Sequence, residues 1–259
     1  MQFKIMIIFA LLCIGLVGSY IIFKNTKSKR DTNAFTIGIA AGYAPFISIN
    51  EKGEYEGFDI DFAHALASTM GKKLVLKDLG TMTSLIIALE QGSIDAIIWG
   101  ISITQERLKK FAMIHYQGET ETAHPLLFWK AIPENIKSLS DMKGMKVCVE
   151  PSSFQSTILN KYKDIAIIPT EKVDDALLNI QFGKADAALV DPAIAQKFKA
   201  KYPELKILDV PLEKEDQVQG MGVALKQGNT TLIKLVQNAI TQLKYSGIIK
   251  QYEKKWRLE

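Results

Sequence analysis

The stretch Gly100-Ile101-Ser102-Ile103-Thr104-Gln105-Glu106-Arg107, paired with Asp186-Ala187-Ala188-Leu189-Val190-Asp191 far downstream, decides how this chain is read. The first segment ends in a permanent cation whose planar fork grips a carboxylate through two parallel hydrogen bonds. The second ends in a carboxylate that can hold an ammonium group. Each follows a short apolar run that reads as a buried strand, Ile94-Asp95-Ala96-Ile97-Ile98 and Ala187-Ala188-Leu189-Val190. In open α/β sheets, ligands bind beyond the carboxyl ends of strands. An Arg and an Asp presented there by separate sheets suit a zwitterion, an α-amino acid, held between two lobes.

Outward from these segments, strands alternate with helices. Phe35 to Ala40 reads as a strand, Tyr43-Ala44-Pro45-Phe46 as a loop, and Glu51 to Glu56 around Gly53 as a hairpin turn. Residues 58–70 predict a helix with Phe58, Phe62, Ala65, Leu66 and Thr69 on one face, stopped by Gly71. A strand over 73–79, a helix over 83–91 ended by Gly92, and the 94–98 strand complete a first block. A second block follows: strands over 124–129, 145–149, 165–168 and 187–190, a helical turn at 140–143, and helices over 152–162, 172–182 and 192–200, the last with Pro at its first turn. A strand over 218–225 and helices over 232–243 and 248–256 close the chain. Alternating strands and helices imply parallel α/β sheets, here in two lobes joined by hinge crossings near 117–122 and 209–217.

Length and composition agree. The 259 residues allow two lobes of roughly 100–150 residues each. The formal charge of +4 comes from the first 31 residues, where Lys4, Lys24, Lys27, Lys29 and Arg30 face Asp31 alone; the remainder is balanced. No basic stripe of the kind a nucleic-acid binder needs is present. Of the two cysteines, Cys13 falls in the N-terminal apolar run, and Cys148 within Val147-Cys148-Val149 reads as a small core residue. The run from Ile5 to Phe23, preceded by Lys4 and followed by basic residues, reads as an export signal, an uncleaved anchor or a lipoprotein signal. Val17-Gly18-Ser19 offers a cleavage site, and Ala10-Leu11-Leu12-Cys13 resembles a lipoprotein box with bulky Leu12 where a small residue is usual.

Tyr43-Ala44-Pro45-Phe46, Gly57-Phe58-Asp59-Ile60-Asp61, the 94–98 strand, Ile103-Thr104-x-x-Arg107 and Asp186-Ala187-Ala188-Leu189-x-Asp191 stand in order with familiar gaps. Together they resemble the polar amino-acid periplasmic binding proteins that feed ABC importers, most of all the arginine-binding type, from Phe35 to the C-terminus. The resemblance implies a two-lobed type II periplasmic binding protein fold that closes on its ligand by hinge motion. It implies residues 1–34 as signal or anchor and linker, 35–120 plus 214–259 as the first lobe, and 121–213 as the second. It implies no enzyme activity and no cofactor, an ABC permease as partner, a monomer, and a periplasmic or outer-face location with the membrane touched only through the N-terminal segment.

Carried over residue by residue, the resemblance places Arg107 on the ligand carboxylate, with Ser102 giving its N–H and hydroxyl. Gly100 offers its carbonyl to the ammonium group and Asp191 pairs with that group from the other lobe. Tyr43 packs on the ligand side chain, and Ser153 and Gln155 approach from the second lobe. The start of the 152–162 helix points its partial positive charge at the carboxylate. The chain departs from basic-amino-acid binders at four positions: Ala40 where an acidic residue is frequent, Met82 for an aromatic, Trp99 for a small residue and Phe154 for Thr. Glu150, at the end of the 147–149 strand, can replace the missing carboxylate, while Tyr43, Trp99 and Phe154 can stack on a planar guanidinium. L-arginine, or a related polar or basic amino acid, is the expected ligand.

Each residue also has a plainer reading. Arg107 can be a solvated helix residue beside Lys109 and Lys110; Asp191 can cap the helix at Pro192; Ser152 is the expected N-cap of its helix; Trp99 and Glu150 divide evenly between cleft and ordinary core or surface. His64, His115 and His124 have no metal-ligand spacing and read as surface or packing residues. Two other function classes stay open: an exported enzyme resembling cyclohexadienyl dehydratases, with Glu150 or His124 as its general acid, and a surface-displayed interaction protein.

Overall fold

A computed structural model describes residues 31–258. The chain divides into two units at Ala34 and Phe35, and the second, from Phe35 on, carries the described fold. The signal, anchor and lipoprotein readings of the N-terminal run, and Cys13 with them, lie outside the described residues. Among the described residues no helix is long and apolar enough to cross a membrane.

The second unit is built on two five-stranded sheets. One has the order β4-β1-β5-β12-β6, from β1 (Ala34–Ile39), β4 (Lys73–Asp78), β5 (Ala96–Ile97), β6 (Phe111–Glu121) and β12 (Val218–Lys226). The other has the order β11-β7-β10-β8-β9, from β7 (Ala123–Trp129), β8 (Lys146–Val149), β9 (Ala166–Pro169), β10 (Ala187–Leu189) and β11 (Leu205–Pro211). A small hairpin pairs β2 (Ser48–Ile49) with β3 (Tyr55–Glu56). The helices are α1 (Phe58–Thr69), α2 (Met82–Gln91), α3 (Gln105–Lys110), α4 (Phe154–Leu159), α5 (Val173–Gln181), α6 (Pro192–Lys201), α7 (Thr230–Tyr245) and α8 (Ile248–Trp256).

The sheets are mixed rather than wholly parallel. β1 and β5 run parallel, as do β8 with β9 and β10. β12 is antiparallel to both β5 and β6, and β7 is antiparallel to β10 and β11. The cause is the chain's two passages between sheets. The outward passage, β6 into β7, and the return, β11 into β12, lie side by side, so Val218 pairs with Glu121 and Pro211 with Ala123. The hinge crossing expected near 117–122 is therefore largely one strand of a two-stranded ribbon, while the one near 209–217 leaves β11 at Pro211 and makes a 3-10 turn at Lys214–Asp216 before β12 begins at Val218. Gly118 and Gly220 meet at an irregularity in that ribbon, where a Cβ on Gly220 would come within 2.7 Å of the Gln117 carbonyl.

Local chemistry explains the elements that frame the cleft. Thr81 caps α2 by accepting the Ser84 N–H, and Gly92 ends it in the left-handed conformation at φ 72°. Thr104 caps α3 by accepting the Arg107 N–H. α1 buries Phe58, Phe62, Ala63, Leu66 and Ala67, while Thr69 is exposed and Ala65 half-buried. Its apolar arc is wider and turned from the expected face because α7 and α8 cover a second side. In the other lobe the period-two alternation of β8 is visible: Val147 and Val149 join one core, and Cys148 the core on the opposite face with Leu127, Ala188 and Phe198. A sheet covered on both faces reads as a continuous apolar run, and that is how residues 147–149 and 187–190 read.

Candidate functional site

The carboxyl ends of β1, β5, β8 and β10 face a common cleft. Past β5, Trp99 is buried and Gly100 turns left-handed at φ 54°, so close to the wall that a Cβ there would lie 3.3 Å from the Tyr43 ring and 3.4 Å from Phe46. Tyr43, past β1, stacks on Phe46 at 5.8 Å and meets Trp99 at 5.0 Å between ring centroids. Ser102 bridges to Met221 of β12. Arg107, on α3, is only 8% exposed. Its Nη1 donates to the Ser102 carbonyl at 3.0 Å and its Nη2 to the Ser152 carbonyl at 3.4 Å. Burial lowers its pKa to about 10, with Glu150 pulling the other way, so it remains cationic at neutral pH.

The opposite wall carries the carboxylates. Glu150 follows β8; burial raises its pKa to about 8, with Arg107 opposing and Glu171 adding. Asp191 follows β10 and caps α6, its Oδ1 accepting the Ala193 N–H at 2.9 Å with Pro192 next in the helix. Burial, then Glu121, raise its carboxyl to about 7, while His124 opposes. Capping and cleft lining are thus combined in one side chain. Ser153, not Ser152, caps α4, and its hydroxyl accepts the Ser156 N–H at 3.0 Å. Ser152 instead adopts φ 60° and brings its hydroxyl within 3.0 Å of Thr83 on the other lobe. The helix expected over 152–162 spans six residues, too short to supply the macrodipole effect expected of its start.

Every one of the eleven residues singled out from the sequence lines one cavity: Tyr43, Met82, Trp99, Gly100, Ser102, Arg107, Glu150, Ser153, Phe154, Gln155 and Asp191. An adjoining cavity shares Tyr43, Glu150, Gln155 and Asp191 and adds Thr170, Val173 and Ala176, which sequence reasoning missed. Thr170 directly follows β9, so the strand-end rule that found Glu150 and Asp191 could have found it. The two cavities are about 20 Å³ each, about the room one water occupies. With Arg107–Ser152 and Thr83–Ser152 bridging the lobes, the walls must part before an amino acid can enter.

His124 is fully buried rather than superficial. Its ring packs on Phe154 at 5.0 Å, its Nδ1 lies 3.3 Å from Gln155 Nε2, and its Nε2 lies 2.8 Å from Glu121 Oε2. It lines neither cavity itself and touches Gln155, which lines both. The indole N–H of Trp99 is buried without a protein acceptor.

A two-lobed α/β scaffold with a charged, ring-walled cleft at its strand ends defines a protein that encloses a small polar solute. The chain belongs to the bacterial extracellular solute-binding proteins, family 3, which it matches over residues 35–259. It is 30% identical over 247 residues, 95% of each chain, to the probable ABC transporter arginine-binding protein ArtJ of Chlamydia trachomatis. Among solved structures it is similar to a mutant of ArgBP from T. maritima, with TM-score 0.77, 31% identity, and 88% of this chain and 96% of the other covered. It is also similar to the ancestral amino acid-binding protein AncCDT-1, described as a precursor of cyclohexadienyl dehydratase, with TM-score 0.74, 29% identity, and 86% and 95% covered.

Proposed function

We propose that this protein captures L-arginine, or a closely related basic amino acid, outside the cytoplasm and presents it to the permease of an ABC importer. The observation that carries this reading is the buried Arg107 facing Glu150 and Asp191 across one cleft. Arg107 receives the α-carboxylate, Asp191 the α-ammonium group, and Glu150 the guanidinium, which lies between the rings of Tyr43, Trp99 and Phe154. Ligand contacts made by both lobes stabilise the closed state that the transporter recognises. Residues 1–34 direct export and tether the protein to the outer face of the membrane or are cleaved. A single cleft within one chain works without a partner subunit.

Glu150→Gln is expected to weaken arginine binding about tenfold, or about 1.4 kcal/mol, in calorimetric titration; unchanged affinity would remove Glu150 from the guanidinium site. Asp191→Asn is expected to weaken binding about a hundredfold, yet to leave the melting temperature nearly unchanged, because Asn caps a helix as well as Asp. The pH dependence follows with a definite sign. In the closed, ligand-free protein the Asp191 carboxyl titrates at about 7, against about 3.9 when unfolded. The folded state holds the extra proton, so this group's contribution to stability is present below about pH 4 and lost as pH rises through 7. A bound ammonium group expels the proton, so arginine affinity should rise from pH 6 to pH 8 with measurable proton release; Asp191→Asn should reduce that rise, with Glu150, whose carboxyl titrates at about 8, supplying part of what remains.

The enzyme reading rests on Glu150, a cleft carboxyl that is protonated near neutral pH and so has the form of a general acid. Turnover of a cyclohexadienyl acid by the wild type, lost in Glu150→Gln, would favour it over simple capture.

A further inference from the structure

Behind the cleft lies a carboxylate that the ligand contacts above do not use. Asp59, in the first turn of α1, is fully buried. Its Oδ2 accepts the Gly100 N–H at 2.6 Å and its Oδ1 accepts the Tyr116 hydroxyl at 2.6 Å. Its own N–H donates to the Phe46 carbonyl at 3.1 Å. One residue therefore reaches three segments. Gly100 belongs to the cavity wall, Phe46 carries the ring that stacks on Tyr43, and Tyr116 immediately precedes the 117–122 passage to the other lobe. The Tyr116 ring is itself held at 4.3 Å from Phe62.

The arrangement is more specific than packing requires. A buried carboxylate is costly, and an apolar cluster would hold α1 equally well. Its use becomes clear from the peptide it grips. The Trp99–Gly100 peptide is trans, since Ala44–Pro45 is the cis bond recorded among the described residues; N–H and C=O therefore point in opposite directions. With the Gly100 N–H fixed on Asp59, the Trp99 carbonyl points the opposite way, so Asp59 sets the orientation of this peptide plane at the cavity wall. The Asp59 carboxyl also feels the charge of Asp191.

We propose that Asp59 is a positioning residue for ligand capture: it fixes the Trp99–Gly100 peptide at the cavity wall, holds it against the Tyr43–Phe46 wall, and ties both to the strand that enters the hinge. The ligand here is that of the amino-acid reading above. Burial pushes the Asp59 carboxyl up to about 7, while its hydrogen bonds from Tyr116 and Gly100 oppose this and Asp191 adds to it. Asp191 titrates in the same range and feels the Asp59 charge, so the comparison is also made in an Asp191→Asn background, where only Asp59 of the pair titrates.

The test uses the full chain, titrated with L-arginine well below its melting temperature. In Asp59→Asn the amide can still accept from Gly100 and donate to the Tyr116 oxygen, so the fold is kept while the charge is lost. This variant should bind about tenfold more weakly than wild type near pH 8, with the gap closing toward about pH 5.5 as the wild-type carboxyl takes up its proton. Tyr116→Phe should cost about threefold. The Gly100 amide proton should resonate far downfield in wild type and shift with pH, and do neither in Asp59→Asn. Equal affinities for Asp59→Asn and wild type across the pH range would overturn the proposal, as would a Gly100 amide that ignores the substitution. If wild type takes up no amino acid while the Gly100 amide still responds, the amino-acid reading has failed and the role in capture falls with it, the anchor itself remaining.

Discussion

Arg107→Ala is expected to reduce amino-acid binding by about a thousandfold or more while leaving a folded protein. Truncating one partner of a buried, hydrogen-bonded charge pair costs about 3–5 kcal/mol, and the ligand carboxylate would have no other fixed cation in the cavity. The fold should tolerate the change because the Arg107 guanidinium is held by two backbone carbonyls, of Ser102 and Ser152, and not by the lobe cores. With the cation gone, Glu150 loses the influence that opposes its burial and stays protonated to higher pH, so no unpaired charge is left in the cleft to add to the penalty. Titration calorimetry with arginine, beside a thermal melt of the ligand-free variant, checks both halves. Near-normal affinity would return Arg107 to the role of a structural tie between the lobes.

Gly57→Ala is expected to cost about 4 kcal/mol of stability, far more than a surface substitution, because backbone strain and a hard steric conflict coincide. Gly57 sits at φ 135°, and a Cβ there would fall 2.0 Å from the Phe46 carbonyl oxygen and 2.9 Å from the Ile47 nitrogen. Neither atom is the end of a flexible side chain. The segment it would displace accepts the Phe58 N–H at Pro45 and the Asp59 N–H at Phe46, so the start of α1 and the Tyr43 wall would move together. Urea denaturation should show a lowered midpoint with little change in slope, and the residual folded protein should bind arginine more weakly. A midpoint within about 0.5 kcal/mol of wild type would mean that the 45–47 segment yields easily.

The cleft was legible because its chemistry is concentrated at strand ends. The 94–98 and 187–190 runs announce buried strands, and the charged residues just past them have few other reasons to stand there. That logic extended to Glu150 past β8, and would have extended to Thr170 past β9. The crossing strands were not legible. β6 reads Phe-Ala-Met-Ile-His-Tyr-Gln-Gly-Glu-Thr-Glu over 111–121, with a polar second half that resembles a loop. It is ordered by its ladder with β12, a partner about a hundred residues away, and no local pattern encodes such a pairing. β11 is an edge strand ending in Pro211; only 209–211 fall in the expected hinge crossing, and 205–208 have no expected element. Alternating strands and helices imply parallel sheets, and the antiparallel ribbon departs from that. Asp59 stood in plain sight within Gly57-Phe58-Asp59-Ile60-Asp61, yet a first-turn acid on a helix ordinarily means a favourable dipole contact. Only the fold brings Gly100 and Tyr116 to it.

The central claim is that the cleft closes on a basic amino acid through charge held by both lobes. Its most direct test is calorimetric titration of the protein, refolded to remove carried-over ligand, with arginine, lysine, ornithine, glutamine and histidine. The account predicts one site per chain, tight for arginine and weaker for lysine, which offers a charge for Glu150 but no plane for the rings of Tyr43, Trp99 and Phe154. The absence of heat with any of the five would contradict it.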